Sequence, residues 1–243
     1  MTPPPSGPAA TPSRPTPPRA PEPRFDPPHR GRVLVVAPHP DDETIGPGGT
    51  LALHVRLGDP VGVLCVTSGV HGDARRRFAP DEYVARRRDE ARAAAGVLGL
   101  AEPEFWDYPD SMVVTEDDLS AVADRMAAAF ARLAPEVLYL PHLREAHSDH
   151  HYVGLAALRA RERAGLEIPA WGYEVWSPLE AEVVVDVSAV YPRKLEAVRC
   201  YRSQLEEVDI ERAVDGLNRF RSSLLPDKSE GRGLYGEVFQ RLA

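Results

Sequence analysis

Only two cysteines occur in 243 residues, Cys65 and Cys200, both in apolar surroundings and far apart in the chain. That scarcity argues against a disulfide framework or a cysteine-built metal site, and both thiols are expected to be reduced core residues. No apolar run approaches the roughly 18–20 residues that a membrane span requires. The N-terminus lacks the basic-then-apolar layout of a secretory signal, so the expected location is cytoplasmic, with no membrane partner. Basic charge is also in deficit. Lys and Arg number 29 against 37 Asp and Glu, a net charge of −8, where a nucleic-acid footprint would be basic. What is present is ordinary globular usage, 43% hydrophobic and 27% charged, at a length that suits one sizeable domain with a full core.

Residues 1–29 are dominated by proline, and only Phe25 among them is strongly apolar. Such a segment buries too little surface to offset its ordering entropy, and its prolines favour extended chain. A disordered Pro-rich tail over 1–29 is therefore expected, followed by a single folded domain over 30–243. Inside the domain, strands and helices alternate. Residues 32–37 read as a first strand, 50–57 as a helix with Leu51, Ala52 and Val55 inward, and 60–66 as a second strand. That is one β-α-β unit, which implies parallel strands and a right-handed crossover. A polar, arginine-rich loop over 68–78 leads into a helix over 80–98 that Gly99 closes. A short strand at 104–106, a helix at 119–133 and a strand at 137–140 follow. The remainder reads as a helix over 152–164, strands over 171–176 and 182–187, and a helix over 188–201 capped by Ser188. Further helices are expected over 210–221 and 236–242. The class is α/β, a Rossmann-like three-layer fold with a mostly parallel sheet and helices on both faces.

Two buried strands end in unusual clusters. Val33 to Ala37 runs straight into Pro38-His39-Pro40-Asp41-Asp42-Glu43, and Val137 to Leu140 into Pro141-His142 and then a loop with His147-Ser148-Asp149-His150-His151. Each cluster alone reads about equally well as a solvated loop whose acids suit a helix N-terminus. Together they belong on the same C-terminal edge of a parallel sheet, where open α/β sheets keep their ligands. Catalytic zinc sites use three imidazole or carboxylate ligands and leave one position open. Two histidines and one carboxylate satisfy that need and leave a second carboxylate as general base, but spacing alone does not choose among them. His29, His54 and His71 lack such company and read as surface or edge histidines. His142, at a strand end, suits a supporting role.

The segment Ala37 to Glu43, continued by Gly46-Pro47-Gly48-Gly49-Thr50, resembles the first motif of the PIG-L/LmbE-like deacetylases, and His147-Ser148-Asp149-His150 resembles their second. Proline is usual where Ser148 stands and a different residue is common at Pro47, departures that remove no ligand. Residues 173–179 and 217–221 also look like bacterial members, so the resemblance extends from Arg32 to the C-terminus. It implies a hydrolase that removes acetyl from the N-acetylglucosamine unit of a small glycoconjugate. By that resemblance His39, Asp42 and His150 hold the metal, Zn2+ or another divalent ion such as Fe2+. Asp41 is the general base, a protonated His147 faces the oxyanion, and Asp149 orients or tunes the histidines. Arg87 and Asp110 match positions that line the sugar pocket, with Arg86 and Arg88 as rivals for the inward place. The loop over 69–80, the segment 108–114 and the C-terminal strands are expected to shape that pocket. The implied partner is a small N-acetyl sugar conjugate, and relatives often form homo-oligomers. Glu43 and His151 are left without a firm part. Two other functions compete: an amidase acting on a larger sugar-thiol conjugate, and a non-catalytic nucleotide- or carbohydrate-binding α/β domain. A dinucleotide fingerprint needs glycine directly after the strand, and here acids intervene.

Overall fold

Five consecutive buried residues, Val33 to Ala37, form a strand whose side chains divide by parity between two cores. Val33, Val35 and Ala37 pack into one and Leu34 and Val36 into the other, the period of two that a central strand imposes. A computed structural model describes residues 19–113, 115–229 and 231–243, so Val114 of the expected 108–114 pocket segment lies outside the described residues. In chain order its elements are β1 (Glu22–Arg24), β2 (Val33–Ala37), α1 (Asp42–Ile45), α2 (Gly48–Arg56), β3 (Val61–Thr67) and α3 (Pro80–Leu98). Then come β4 (Glu104–Tyr108), α4 (Glu116–Leu133), β5 (Val137–Pro141), α5 (Ser148–Arg163), β6 (Ala170–Tyr173) and β7 (Val183–Asp186). The chain ends with α6 (Tyr191–Val198), α7 (Arg202–Leu205), α8 (Ile210–Ser222) and β8 (Gly236–Arg241).

The strands form one eight-stranded sheet in the order β1-β7-β8-β6-β5-β2-β3-β4. β2 pairs in parallel with β3, Val33 opposite Val61, and with β5, Val33 opposite Val137. From β2 the chain winds outward through β3 to β4, then returns to place β5 on the other flank of β2. Strand order reverses between β2 and β5, and a crevice opens at such a switch point. Both histidine clusters follow those two strands. Helices α2, α3, α6 and α8 cover one face, and α4 and α5 the other. The result is the three-layer α/β arrangement expected from the alternation.

Several elements differ from the sequence expectation. The segment expected as a helix over 236–242 instead forms β8 (Gly236–Arg241), which runs antiparallel to both β6 and β7. Adjacent Val238 and Phe239 are both buried but belong to different apolar clusters, which a strand between two layers allows. Ser188 does not cap a helix: α6 begins after Val190, and the Ser188 hydroxyl donates to Asp186 Oδ1 at 2.5 Å. Glu22–Arg24, within the segment expected as a tail, pairs in parallel with β7. Its three residues are mostly exposed and carry no apolar signal. His54, expected at the surface, is fully buried three residues after Leu51 on the inward side of α2. Its ring contacts Asp59 Oδ2 at 2.8 Å and the Tyr139 hydroxyl at 3.0 Å. Cys65 is buried and Cys200 half-buried, and neither is bonded to the other. Among the described residues no helix is long and apolar enough to cross a membrane.

Candidate active site

The turn after β2 is strained where the chemistry would need it. Asp41 has φ 141° and ψ −27°, a conformation that L side chains rarely adopt and that persists only when its surroundings enforce it. Its carbonyl accepts from Thr44 N and Ile45 N, both at 2.9 Å, and its own N–H donates to Glu43 Oε2 at 3.1 Å. Glu43 is buried and is itself gripped through Oε1 by the Thr44 hydroxyl at 2.9 Å and by the Tyr201 hydroxyl. The residue left without a part in the sequence is thus a clamp on the Asp41 backbone. Burial pushes its carboxyl above the usual range, against these hydrogen bonds. Gly49, two residues into α2, is needed there because a Cβ would come within 2.8 Å of Glu237 Oε1 and Val187 Cβ.

The second cluster is not a loop. His147 is the N-cap of α5, its Nδ1 accepting from Asp149 N at 3.2 Å, and Asp149 and His150 lie in the first turn. Helical geometry then separates neighbours: His150 turns toward β2, while His151 points away and contacts the Leu143 carbonyl at 2.8 Å. α5 can press this close to β5 because Gly154 has no Cβ; one would lie 2.7 Å from the Pro141 carbonyl. His142 takes the supporting part, with Nε2 2.9 Å from the Ser177 carbonyl. Glu145 has no spacing that would reveal it in the sequence. It is buried, and its Oε1 accepts from Val175 N at 2.7 Å, Trp176 N at 3.0 Å and Ser177 N at 3.2 Å. Burial resists its ionisation, yet His142, these amides and His150 hold its carboxyl below the usual range.

The two clusters converge on Asp42. Its Oδ2 lies 3.2 Å from His39 Nδ1 and 3.1 Å from His150 Nε2. Zinc-type ligand bonds of about 2.1 Å at tetrahedral angles place ligand atoms about 3.4 Å apart, so this spacing fits one small divalent ion. The buried His150 ring adds a second sign: among the described residues neither of its nitrogens has a partner in hydrogen-bond geometry, Nε2 being only at ion-pair distance from Asp42. The other side of the His39 ring, Nε2, is 3.2 Å from Asp149 Oδ2, the carboxylate–histidine arrangement that fixes a ligand's tautomer. Asp149 is fixed in turn by Ser111 N, 2.9 Å from Oδ1 and 3.0 Å from Oδ2. His39, His147 and Asp149 form an overlapping second set of candidate ligands. Burial would lower the His39 pKa, but Asp149 and Asp42 outweigh it and carry it to about 10, so the pocket favours positive charge. Burial likewise opposes ionisation of Asp42, and His150 with His39 still keep its carboxyl far below the usual range.

Asp41 faces a different neighbour. Arg87 is buried, its guanidinium 3.1 Å from Asp41 Oδ2 and donating to the Pro40 carbonyl. Burial raises the Asp41 pKa to about 7 despite that cation. Of the three candidate arginines, Arg87 is the inward one; Arg86 lies over the Phe78 ring and Arg88 pairs with Asp107. Asp110 also lines the cleft, but both of its oxygens are engaged, by Gly69 N at 2.8 Å and His71 N at 2.7 Å, so it shapes the loop. The His147 pKa is lowered by burial and by His39 and His150, which opposes the protonated form expected for it. The cleft encloses about 190 Å3, and its walls include His71, Ser111, Trp176 and Gln204, which no sequence spacing singled out.

A sequence profile of the PIG-L family, described as GlcNAc-PI de-N-acetylase, matches residues 34–161, more than half of the chain. The chain belongs to the PIG-L family. It is 32% identical over 186 residues to a probable N-acetyl-alpha-D-glucosaminyl L-malate deacetylase 2 of Bacillus cereus, covering 72% of this chain and 84% of that protein. It is 28% identical over 194 residues to the diacetylchitobiose deacetylase of Thermococcus kodakarensis, covering 72% and 71%. The PIG-L fold also superposes on the crystal structure of a 4-carboxy-2-hydroxymuconate hydratase from Pseudomonas putida with a TM-score of 0.74 at 23% identity, over 88% of this chain and 96% of that one. That likeness concerns the fold alone. A shared architecture hosts different reactions, so the reaction has to be argued from the site.

Proposed function

We propose that this PIG-L protein is a metal-dependent deacetylase that hydrolyses the N-acetyl amide of an N-acetylglucosamine unit in a small glycoconjugate. The observation that carries the reading is the convergence of His39 Nδ1, Asp42 Oδ2 and His150 Nε2 beside the separately held carboxylate of Asp41. His39, Asp42 and His150 would hold a divalent ion, Zn2+ in the first instance, which supplies Lewis acidity toward the acetyl carbonyl and the attacking water. The deacetylase names of the two relatives support the choice of an acetyl amide.

The chain's own groups then divide the work. Asp41 removes a proton from the attacking water at Oδ and later passes it to the departing amine, a role suited to a carboxyl whose pKa is raised to about 7. Arg87 favours the ionised form of that carboxyl against burial and fixes its position. His147 offers Nε2–H to the developing oxyanion as a neutral donor, because its Nδ1 accepts from Asp149 N and its pKa is lowered. Asp149 holds the His39 ring through Nε2. The products are acetate and a free amine.

The test is acetate release from N-acetylglucosaminyl glycosides by metal-loaded protein. Chelation should abolish it, and added zinc, cobalt or iron should restore a substantial part. Full activity in protein verified as metal-free would overturn the mechanism.

A further inference from the structure

Trp176 stands at the rim of the cleft with 46% of its surface exposed, whereas Trp106 and Trp171 are 9% and 5% exposed. Its backbone is anchored. The N–H donates to Glu145 Oε1 at 3.0 Å, and the same oxygen holds the residues on either side. Among the described residues its indole has no aromatic partner, no stacked guanidinium and no hydrogen-bond acceptor. The backbone thus holds a large, half-exposed ring in the wall of the cleft, where a ligand covering it would remove its apolar surface from water. Aromatic rings so placed are the usual anchors for a ligand.

The rest of the cleft says which ligand. Around this one apolar plate the wall is polar, including Asp41, Arg87, Ser111 and Gln204. A pyranose has that same duality, with C–H bonds presented on one face and hydroxyls projecting around its edge. A flat aromatic ligand would ask for apolar contact on both faces, and a small anion would gain nothing from the plate. The enclosed 190 Å3 is below the roughly 300–1,000 Å3 of pockets for drug-sized ligands, which suits a single ring. We propose that Trp176 is the platform on which the apolar face of the substrate's pyranose stacks, directing its N-acetyl group toward Asp41 and the histidines. This specificity role rests on the deacetylase reading.

The experiment pairs kinetics with tryptophan emission, using methyl N-acetylglucosaminide as the probe. The W176A protein should show KM raised about tenfold with kcat within about twofold of the parent, the pattern of lost ground-state binding, and W176F should recover most of it. The chain has three tryptophans, of which only Trp176 is substantially exposed. Titrating the probe into the parent should therefore shift the emission to the blue, and the shift should vanish in W176F. An unchanged KM in W176A, a fall in kcat alone, or an unshifted emission at saturating probe would each overturn the platform. If the parent releases no acetate, the deacetylase reading fails on its own. The emission titration then decides the platform, a shift supporting it and no shift overturning it.

Discussion

At the scale of single residues, two adjacent aspartates have been given opposite environments. Asp42 sits between His39 and His150, which keep it ionised, while Asp41 is turned away through a positive φ toward Arg87. Burial favours the protonated form of Asp41 and Arg87 favours the ionised one, so removing the cation must raise the pKa. In the proposed mechanism Asp41 acts only when deprotonated. In Arg87→Met the acidic limb of kcat/KM should therefore move to higher pH, by about one unit for an opposite charge this close. A pH–rate profile checks it, and a limb that stays put or moves to lower pH would mean that Arg87 does not act on Asp41. The two clusters that hold His39, Asp42 and His150 were legible from the sequence because each follows an apolar strand, while the choice of these three as ligands came from the family resemblance. The places of Glu43, Glu145 and Trp176 at the site were not legible, because each is set by a partner distant in the chain: Tyr201, the 175–177 amides, and the other walls of the cleft.

At the scale of elements, the site depends on two fully buried ties. Lys194 of α6 donates to Glu237 Oε1 of β8 at 2.7 Å and to the Gly46 carbonyl at 3.0 Å, and Glu237 also accepts from Gly49 N and Thr50 N at 2.7 Å each. The pair thus pins the segment between α1 and α2 against the sheet. Lys194→Met strands a buried carboxylate and should cost about 3–5 kcal/mol in denaturant-derived stability, with part of it regained by adding Glu237→Gln, which removes the charge but keeps an acceptor for the α2 amides. No recovery in the double variant would show that Lys194 acts through packing alone. Glu145 ties the approach to α5 to the segment after β6. Its pKa is depressed in the fold, so its stabilisation is present above the ordinary value of 4.5 and lost as the pH falls through the folded-state value. Glu145→Gln should lower stability at neutral pH by about 1–3 kcal/mol. Melting temperatures of variant and parent should converge in acid. Element boundaries show where sequence patterns stop informing. α3 falls at Pro80–Leu98 as its proline, acids and glycine announce, but β8 was hidden because a strand buried on both faces has no alternation to read. α5 begins earlier than its apolar pattern because its first turn, Ser148 to His151, is made of polar residues.

At the scale of the whole molecule, strand order does what no motif can. The return of the chain to place β5 beside β2 puts two clusters, over 100 residues apart in sequence, at one crevice, with His39 Nε2 and Asp149 Oδ2 3.2 Å apart across 110 positions. An ion bound there links β2, α1 and α5, and binding to the folded form alone raises stability by mass action. Zinc at about 100 times its Kd should add about 3 kcal/mol, read as a higher melting temperature that EDTA reverses. The same addition should leave Asp42→Asn unmoved; an equal shift in both proteins would place the ion elsewhere. The parallel core of the sheet and the convergence of the two clusters were readable from alternating strands and helices. The order of the strands beyond β2 and β3 was not, because it is set by which faces remain to be covered. The central claim is the division of labour between Asp41 and Asp42, and the most direct test is acetate turnover by Asp41→Asn protein whose metal content is measured in the same sample. The account predicts metal retained at the parent's level, with turnover down by about 10²–10⁴. Parent-like turnover, or metal lost as fully as in Asp42→Asn, would contradict it.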